Sequence, residues 1–213
     1  MALTIALLGA ESTGKTALSR AMAAALAASG RRVEAVPEVL RAWCEREGRT
    51  PEPHEQLPIA QAQEAQVDAA AARADIVIAD TTALMVAIYS GMLFEDGSLY
   101  RYALERQRRY DLTLVTGLDL PWVADGLQRD GPQVRGPVDA LVREALQKAG
   151  IGYRVVYGRG EERTRNALAP VLALLGESRP QGTERVRWTW SCEKCSDPEC
   201  EHRLFTALRR SDG

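Results

Sequence analysis

The first sixteen residues contain the feature that most restricts how this chain can fold. An apolar run from Leu3 to Leu8 leads directly into Gly9-Ala-Glu-Ser-Thr-Gly-Lys-Thr16, which has the spacing G-x-x-x-x-G-K-[ST]. A segment rich in strong helix formers begins at Ala17. A strand, a glycine-containing loop and a helix in this order predict a phosphate-binding loop. The flanking strand and helix disfavour the alternative, a turn that binds nothing.

Each residue type in this loop has a chemical task. Two glycines allow backbone conformations that a side chain would block, so successive N–H groups converge on phosphate oxygens. The helix adds the positive end of its dipole. We expect Lys15 to reach the β- and γ-phosphates and the Thr16 hydroxyl to bind Mg²⁺. The expected nucleotide contacts are Gly9, Glu11, Ser12, Thr13, Gly14, Lys15, Thr16 and Ala17.

Apolar runs alternate with helix-forming segments along the rest of the chain. Beyond Leu3–Leu8, strands are expected at 31–37, 75–80, 111–116 and 151–157. Five strands that alternate with helices predict an α/β fold, with a parallel sheet flanked by helices. We predict this domain over residues 1–175, a linker over 176–187 and a cysteine-rich tail over 188–213.

Helices are predicted at about residues 82–90 and at 138–149, among others, and the connections between the elements are predicted as well. Pro51, Pro53 and Pro58 favour a polar loop over residues 48–58, with a helix from Ile59. Residues 117–135, after the fourth strand, are long and rich in glycine and charge. This composition suits a lid over nucleotide with Arg129 and Arg135 as phosphate clamps, and a solvated surface loop is the alternative.

Two acidic residues follow predicted strands. Ligands of open α/β sheets bind outside the carboxyl ends of the strands, so Glu38 and Asp80 are placed for function. Asp80 closes an apolar run and is expected near the Mg²⁺ held by Thr16. The alternatives are that Glu38 only complements a helix dipole and that Asp80 caps the next helix.

The tail contains a possible metal site. Cys192, Cys195, Cys200 and His202 have the spacing C-x₂-C-x₄-C-x-H and supply the four ligands that a closed Zn²⁺ site requires. Free thiols in a flexible tail are the alternative. The sequence does not choose among capping the core, self-association and binding of a partner as the role of this segment.

Composition excludes several classes of function. The 213 residues have a formal net charge of −2, so no global basic field attracts nucleic acid. The most apolar stretch, residues 83–94, is too short to span a bilayer. No basic region precedes the apolar N-terminus, so we expect no signal peptide and a cytoplasmic location. A homo-oligomer is compatible with the sequence.

Five stretches occur in the order found in one known family. They are the loop Gly9–Thr16, Pro37-Glu38-Val-Leu-Arg41, Gln63, Ile78-Ala-Asp80-Thr81 and Pro121-Trp122-Val-Ala-Asp125-Gly126. Together they resemble the ribosylnicotinamide kinase domain of bacterial NadR-type NAD-salvage proteins and their AAA-like relatives. The resemblance covers about residues 2–175.

The resemblance implies a nucleoside or nucleotide kinase-like fold and ATP-dependent phosphorylation of a ribosyl 5′-hydroxyl, most favourably that of nicotinamide riboside. Lys15 and Thr16 would hold the ATP phosphates and Mg²⁺. Glu38, Arg41 and Asp80 would face the acceptor. A lid would extend from Trp122 to Arg135 and include Arg129, with Trp122 against the substrate. The sequence leaves open whether Glu38 or Asp80 is the catalytic base.

Three departures from the family pattern bear on these expectations. Thr82 stands where an acidic residue is common, which affects the acceptor. The lid arginine, Arg129, lies one place later than usual. The adenylyltransferase and DNA-binding domains of the NadR architecture are absent from this sequence. Two alternatives to a nicotinamide riboside kinase therefore stay open: a kinase for another nucleoside or nucleotide, and a nucleotide-switched ATPase that acts as a binding module.

Overall fold

The structure, a computed structural model, describes residues 2–123 and 131–176. Its strands are β1 Leu3–Leu8, β2 Val33–Val36, β3 Ile76–Asp80, β4 Leu112–Thr116 and β5 Arg154–Val156. Its helices are α1 Lys15–Ala27, α2 Val39–Glu47, α3 Pro53–Ala71, α4 Ala83–Phe94, α5 Leu99–Gln107, α6 Arg135–Lys148 and α7 Gly160–Leu174, with a 3₁₀ turn at Pro132–Val134.

The strands form one parallel sheet in the order β2-β3-β1-β4-β5. This confirms the predicted five-stranded parallel α/β fold. The register places Leu7 beside Asp80 and Leu8 beside Val115, so the carboxyl ends of the three central strands lie together. The strand β5 is shorter than the predicted one, because the Ile151 N–H donates to the Leu146 carbonyl at the end of α6, at 2.9 Å, instead of joining the sheet.

Both faces of the sheet are covered by helices. Ile5 and Leu7 pack with α1 and α7 on one face, whereas Leu8 packs with α3, α4 and α6 on the other. Alternate residues of a strand point to opposite faces. A strand buried on both faces must therefore be apolar throughout, which explains the continuous apolar runs in β1 and β3.

The predicted polar loop over residues 48–58 is wrong in its second half, because α3 begins at Pro53. Proline at the first helical position lacks only an N–H that has no intrahelical partner there. Glu52 and Glu55 form a capping box, in which the Glu55 carboxylate accepts a hydrogen bond of 2.8 Å from the Glu52 N–H. Pro58 lies inside the helix rather than before it.

Two other boundaries differ from the prediction. The helix α6 begins at Arg135, three residues before the predicted start at Val138. The helix α4 continues past Ser90 to Phe94 and ends at Glu95, which adopts a left-handed conformation. Gly91 does not end the helix, and it lies against α5, where an added Cβ would be 3.4 Å from the Tyr100 ring.

The predicted linker, apart from Gly176, and the whole cysteine-rich tail lie outside the described residues. So do Arg129 and the proposed zinc ligands Cys192, Cys195, Cys200 and His202. Among the helices of residues 2–123 and 131–176, none is both long and apolar enough to cross a membrane.

A buried carboxylate ties three helices together. Glu64 of α3 accepts a hydrogen bond of 2.8 Å from the Ala83 N–H at the start of α4. Its other oxygen lies 3.2 Å from both the Arg106 Nε and the Tyr110 hydroxyl. Arg106 also pairs with Asp68 at 2.8 Å. Arg106 of α5 therefore neutralises the buried Glu64 carboxylate.

We predict that Arg106→Met lowers the free energy of unfolding by about 3 kcal/mol, because it leaves the Glu64 charge buried without its cation. Urea unfolding followed by circular dichroism measures this change. The matched control is Arg109→Met on the same side of the molecule, where the arginine is 62% exposed and 3.8 Å from Asp68. This control should have little effect. Equal losses in the two variants would contradict the assignment.

Candidate functional site

The loop between β1 and α1 depends on glycine at both ends. Gly14 has φ 75°, a left-handed conformation that favours glycine. Gly9 has φ 142°, and a Cβ there would lie 2.1 Å from Thr116 Oγ1 at the end of β4. The loop backbone therefore passes against β4 with no room for a side chain at position 9.

The buried hydroxyls of Thr13 and Thr116 stabilise the phosphate-binding loop. Thr13 Oγ1 donates a hydrogen bond of 2.7 Å to the Ala10 carbonyl across the turn. The same oxygen lies 2.7 Å from Thr116 Oγ1, which is 3.1 Å from the Leu8 carbonyl. The Thr13 side chain thus supports the loop conformation, and any contact of this residue with phosphate would come from its backbone.

Lys15 reaches back across the loop that precedes it. Its ammonium donates hydrogen bonds of 3.0 Å to the Gly9 carbonyl and 2.9 Å to the Ala10 carbonyl. It also interacts electrostatically with Glu38. The positive charge therefore lies against the loop, next to Glu38.

Thr16 and Asp80 meet at the carboxyl ends of β1 and β3. The Thr16 hydroxyl donates a hydrogen bond of 2.5 Å to Asp80 Oδ2. Asp80 is buried, and its Oδ1 has no hydrogen-bond partner in the described part of the chain. Thr82, not Asp80, caps α4, because the Thr82 hydroxyl accepts the Leu84 N–H at 3.2 Å.

This pair of residues fits a magnesium ion. A hydroxyl and a carboxylate with an unused buried oxygen are the hard oxygen ligands that Mg²⁺ prefers. No group of three or more metal-binding side chains occurs within residues 2–123 and 131–176. Mg²⁺ usually binds to nucleotide phosphates through one or two protein groups and water, so Thr16 and Asp80 would suffice.

Glu38 lies between β2 and α2 and faces the same centre. It is the N-cap residue of α2, but its side chain makes no capping hydrogen bond. Its carboxylate lies 3.5 Å from the Arg41 guanidinium, and the side chain is 20% exposed. Burial raises the pKa of Glu38, and the Asp80 charge raises it further, whereas Lys15 and Arg41 oppose the shift. The structure thus brings Lys15, Glu38, Arg41, Thr16 and Asp80 together.

The described part of the loop after β4 crosses over the phosphate-binding loop. The Ser12 hydroxyl donates to the Val123 carbonyl at 3.0 Å and accepts the Val123 N–H at 2.8 Å. A Cβ at Gly14 would lie 3.0 Å from Leu120 Cδ1. Trp122 is half-buried, and its indole nitrogen has no hydrogen-bond partner among the described residues. Ser12 therefore fixes the start of the predicted lid.

Arg135 is placed differently from its predicted role. It begins α6 and is buried, and its guanidinium donates to the carbonyls of Leu120 at 2.9 Å and Leu118 at 3.4 Å. A phosphate clamp would have to direct this group toward the nucleotide. In this structure the guanidinium instead holds the loop that follows β4, because those carbonyls have no strand partner beyond Thr116.

Thr82, the position that departs from the family pattern, is directed into the core. Its hydroxyl donates a hydrogen bond of 2.7 Å to Gln107 Oε1, and Gln107 Nε2 donates to Thr113 Oγ1 at 2.9 Å. All three side chains are buried. Thr82 therefore belongs to a buried network between α4, α5 and β4. In the part of the chain that the structure describes, Glu38 and Asp80 lie next to the phosphate-binding loop through their interactions with Lys15 and Thr16.

Arg163 is a site residue that the sequence analysis missed. Its buried guanidinium donates to the Thr13 carbonyl at 2.9 Å, to Asp119 Oδ1 at 2.9 Å and to the Gly158 carbonyl at 3.0 Å. It thereby ties the phosphate-binding loop to the loops after β4 and β5. A signal existed, because an arginine in the first turn of a helix opposes the helix dipole and implies another partner.

Asp119 completes this clamp. Its second carboxylate oxygen accepts the Gly158 N–H at 2.7 Å. Burial alone would raise the pKa of Asp119, but the hydrogen bonds from Arg163 and the Gly158 N–H outweigh burial and lower it. The carboxylate is therefore kept ionised, which keeps Arg163 in place.

We predict that Arg163→Met weakens ATP binding about tenfold, or about 1.4 kcal/mol, because the Thr13 carbonyl loses the donor that fixes it. Titration with a fluorescent ATP analogue measures the dissociation constant. Arg165→Met on the same helix is the control, since Arg165 is 59% exposed. An unchanged dissociation constant in Arg163→Met would show that the clamp does not order the phosphate-binding loop.

We also predict that Glu38→Gln stabilises the protein at about pH 7. Because the pKa of Glu38 is raised in the folded state, that state binds the proton more tightly than the unfolded chain does. The charged carboxylate therefore costs stability as pH rises above its ordinary pKa of 4.5. A neutral amide avoids that cost, so the gain should disappear at pH values below 4.5.

Thermal unfolding at both pH values tests this prediction. The control is Glu45→Gln, an exposed position on the same helix, which should change the unfolding temperature little at either pH. A loss of stability in Glu38→Gln at about pH 7 would contradict the account of its burial.

Comparison with known proteins agrees with this geometry. The AAA domain family profile matches residues 4–163. The crystal structure of NadR protein in complex with NAD and AMP-PNP has a TM-score of 0.66 and 16% identity, over 86% of this chain and 52% of that chain. A crystal structure of NadR protein in complex with NR has a TM-score of 0.64 and 19% identity, over 81% and 50%.

The likeness to NadR is one of fold and covers part of its chain. The chain spans about half the length of the NadR chains, and at such identities the likeness demonstrates a common fold. A comparison with curated protein sequences gives no match. The family profile covers the phosphate-binding loop, Glu38, Asp80 and Arg163. The chain therefore belongs to the AAA domain family and has the P-loop fold seen in NadR.

Proposed function

We propose that the chain is an ATP-dependent kinase that phosphorylates a ribosyl 5′-hydroxyl, with nicotinamide riboside as the favoured acceptor. The observation that carries this proposal is the position of Glu38. A carboxylate with a raised pKa faces both Lys15, the expected phosphate ligand, and Asp80, the expected metal ligand. Phosphoryl transfer requires a group that orients the attacking nucleophile, and a protein that only binds nucleotide has no such requirement.

The donor half of the site follows from the loop. Its backbone N–H groups and the α1 N-terminus would hold the phosphates of ATP, and Lys15 would leave its carbonyl partners for phosphate oxygens. Thr16 and Asp80 would hold Mg²⁺, which neutralises developing charge on the phosphates when bound. Arg163 and Asp119 keep the loop in shape from outside the reacting centre.

The acceptor half would lie between β2 and the loop after β4. Glu38 would orient the attacking hydroxyl and accept its proton, for which a raised pKa is suited. Arg41, which is paired with Glu38, would bind the acceptor or the phosphate product. Trp122 would provide an aromatic face for the base of the nucleoside. Phosphoryl transfer needs little more than such positioning and charge neutralisation.

The complexes described for NadR support the choice of acceptor. One NadR structure is described with NR and another with NAD and AMP-PNP, and both have the fold of this chain. The identities of 16% and 19% leave room for a different nucleoside. The test must therefore compare several acceptors.

We predict that nicotinamide riboside, added with Mg-ATP, stimulates ADP release more than adenosine, uridine or guanosine does. A coupled ADP assay measures the stimulation, and mass spectrometry identifies the phosphorylated product. Lys15→Ala should lower this activity by at least about 100-fold. Lys148→Ala is the control, because Lys148 is 75% exposed and pairs with Glu144.

The same assay tests the proposed role of Glu38 toward the acceptor through a separate variant. Glu38→Gln should lower turnover far more than ATP affinity, and an equal loss in both would assign Glu38 a structural role. ATP hydrolysis that no nucleoside stimulates would contradict the kinase proposal and favour a nucleotide-switched ATPase. Stimulation by a different nucleoside alone would retain the kinase and replace its acceptor.

A further inference from the structure

One buried side chain binds the backbone on both sides of Glu38. Gln63 of α3 is 1% exposed. Its Oε1 accepts a hydrogen bond of 2.8 Å from the Val39 N–H, and its Nε2 donates to the Pro37 carbonyl at 3.3 Å. One amide group thus holds the residue before Glu38 and the residue after it.

These two bonds fix the direction in which the Glu38 side chain leaves the backbone. Glu38 has an extended conformation, with φ −66° and ψ 113°, between the end of β2 and the start of α2. The Val39 N–H is among the first N–H groups of α2, which have no intrahelical acceptor. The Glu38 side chain does not cap the helix. Gln63 supplies this acceptor, which leaves the Glu38 carboxylate available to face Lys15 and Asp80.

We propose that Gln63 is a positioning residue that holds the Glu38 carboxylate toward the phosphate-binding loop, an inference that rests on the proposed kinase function for its effect on turnover. Gln63 itself touches no reacting group. Its effect is carried by the backbone of residues 37–39. Without it, α2 could begin in another conformation, and the Glu38 carboxylate could turn toward solvent.

The same helix contains a matched control. Gln56 lies about two turns earlier in α3, is 3% exposed, and donates through Nε2 to the Pro51 carbonyl at 3.3 Å. Both glutamines are therefore buried amides that bind a proline carbonyl. Of these two glutamines, only Gln63 binds the backbone on either side of an acidic residue of the site, Glu38. A loss common to both substitutions would report general stability, whereas a loss confined to Gln63 would report positioning.

The charges around Glu38 provide a readout that does not depend on catalysis. Lys15 faces it from the start of α1, Asp80 from the end of β3 and Arg41 from α2. Burial is the largest cause of its raised pKa. If the carboxylate turns toward water, that cause weakens and the pKa falls toward the ordinary value of 4.5.

The experiment compares Gln63→Met with Gln56→Met, since methionine keeps the length of the side chain and removes the amide. With Mg-ATP and nicotinamide riboside, Gln63→Met should lower kcat by about 10- to 100-fold. Its dissociation constant for ATP should stay within about threefold of the wild type. Gln56→Met should retain kcat. Carboxyl ¹³C NMR titration, with Glu38→Gln to assign the signal, should show a lower Glu38 pKa in Gln63→Met alone.

A second variant keeps the test decisive if Gln63→Met does not fold. Gln63→Glu keeps an oxygen for the Val39 N–H and, when protonated in its buried position, a donor for the Pro37 carbonyl. It should therefore retain more kcat than Gln63→Met and hold the Glu38 pKa closer to that of the wild type. If Gln63→Met does not fold, Gln63→Asn replaces it, because the shorter amide cannot reach both the Val39 N–H and the Pro37 carbonyl. A lower Glu38 pKa and a lower kcat in Gln63→Asn than in Gln63→Glu support the proposal, and equal values in the two variants overturn it.

Other results would also overturn the proposal. They are an unchanged Glu38 pKa in Gln63→Met, a kcat within about twofold of the wild type, or equal losses in Gln63→Met and Gln56→Met. Failure of the kinase proposal is recognised separately, by wild-type protein that no nucleoside stimulates. In that case the NMR comparison alone decides whether Gln63 positions Glu38.

Discussion

The structure depends on the close approach of the phosphate-binding loop to the end of β4. At Gly9 the backbone passes so near Thr116 that no side chain fits between them. The Thr13 and Thr116 hydroxyls join the same two segments from within, and Arg163 joins the loop to the connections after β4 and β5. These contacts lie within the protein itself, so they restrict the loop without help from a ligand and reduce the conformational entropy lost on binding.

The charges next to this loop do not fully compensate the burial of the Glu38 carboxylate. Glu38 faces both Lys15 and Asp80, so a second carboxylate lies close to it as well as the ammonium. Burial and mutual repulsion make the charged form of Glu38 costly, and Arg41 offsets only part of that cost. Sites that carry out proton transfer often contain such groups, because the features that shift a pKa also make the group reactive. The burial that makes the charged Glu38 carboxylate costly for folding would also suit it to accept a proton in the proposed reaction.

Local patterns in the sequence were enough to predict the sheet and the order of strand, loop and helix around Gly9–Thr16. A continuous apolar run that ends in an acid indicates β3 and Asp80, and the glycine spacing indicates the loop from Gly9. The sequence did not identify the partners of Arg163 and Arg135, because most of these are backbone carbonyls in loops, which have no residue-type signature. The start of α3 was missed since three prolines resemble a loop unless Glu52 and Glu55 are recognised as a capping box.

The strand order has a consequence for how the site opens. The loop follows β1, which pairs with strands on both sides, whereas Glu38 follows β2, an edge strand that pairs with β3. Local opening of β2 breaks one ladder of hydrogen bonds, while opening of β1 breaks two. Amide hydrogen exchange should therefore be faster around Glu38 than around Gly9, since protection follows the free energy of local opening. The protein can thus lose order in the half that holds Glu38 while the half that holds the phosphates stays folded.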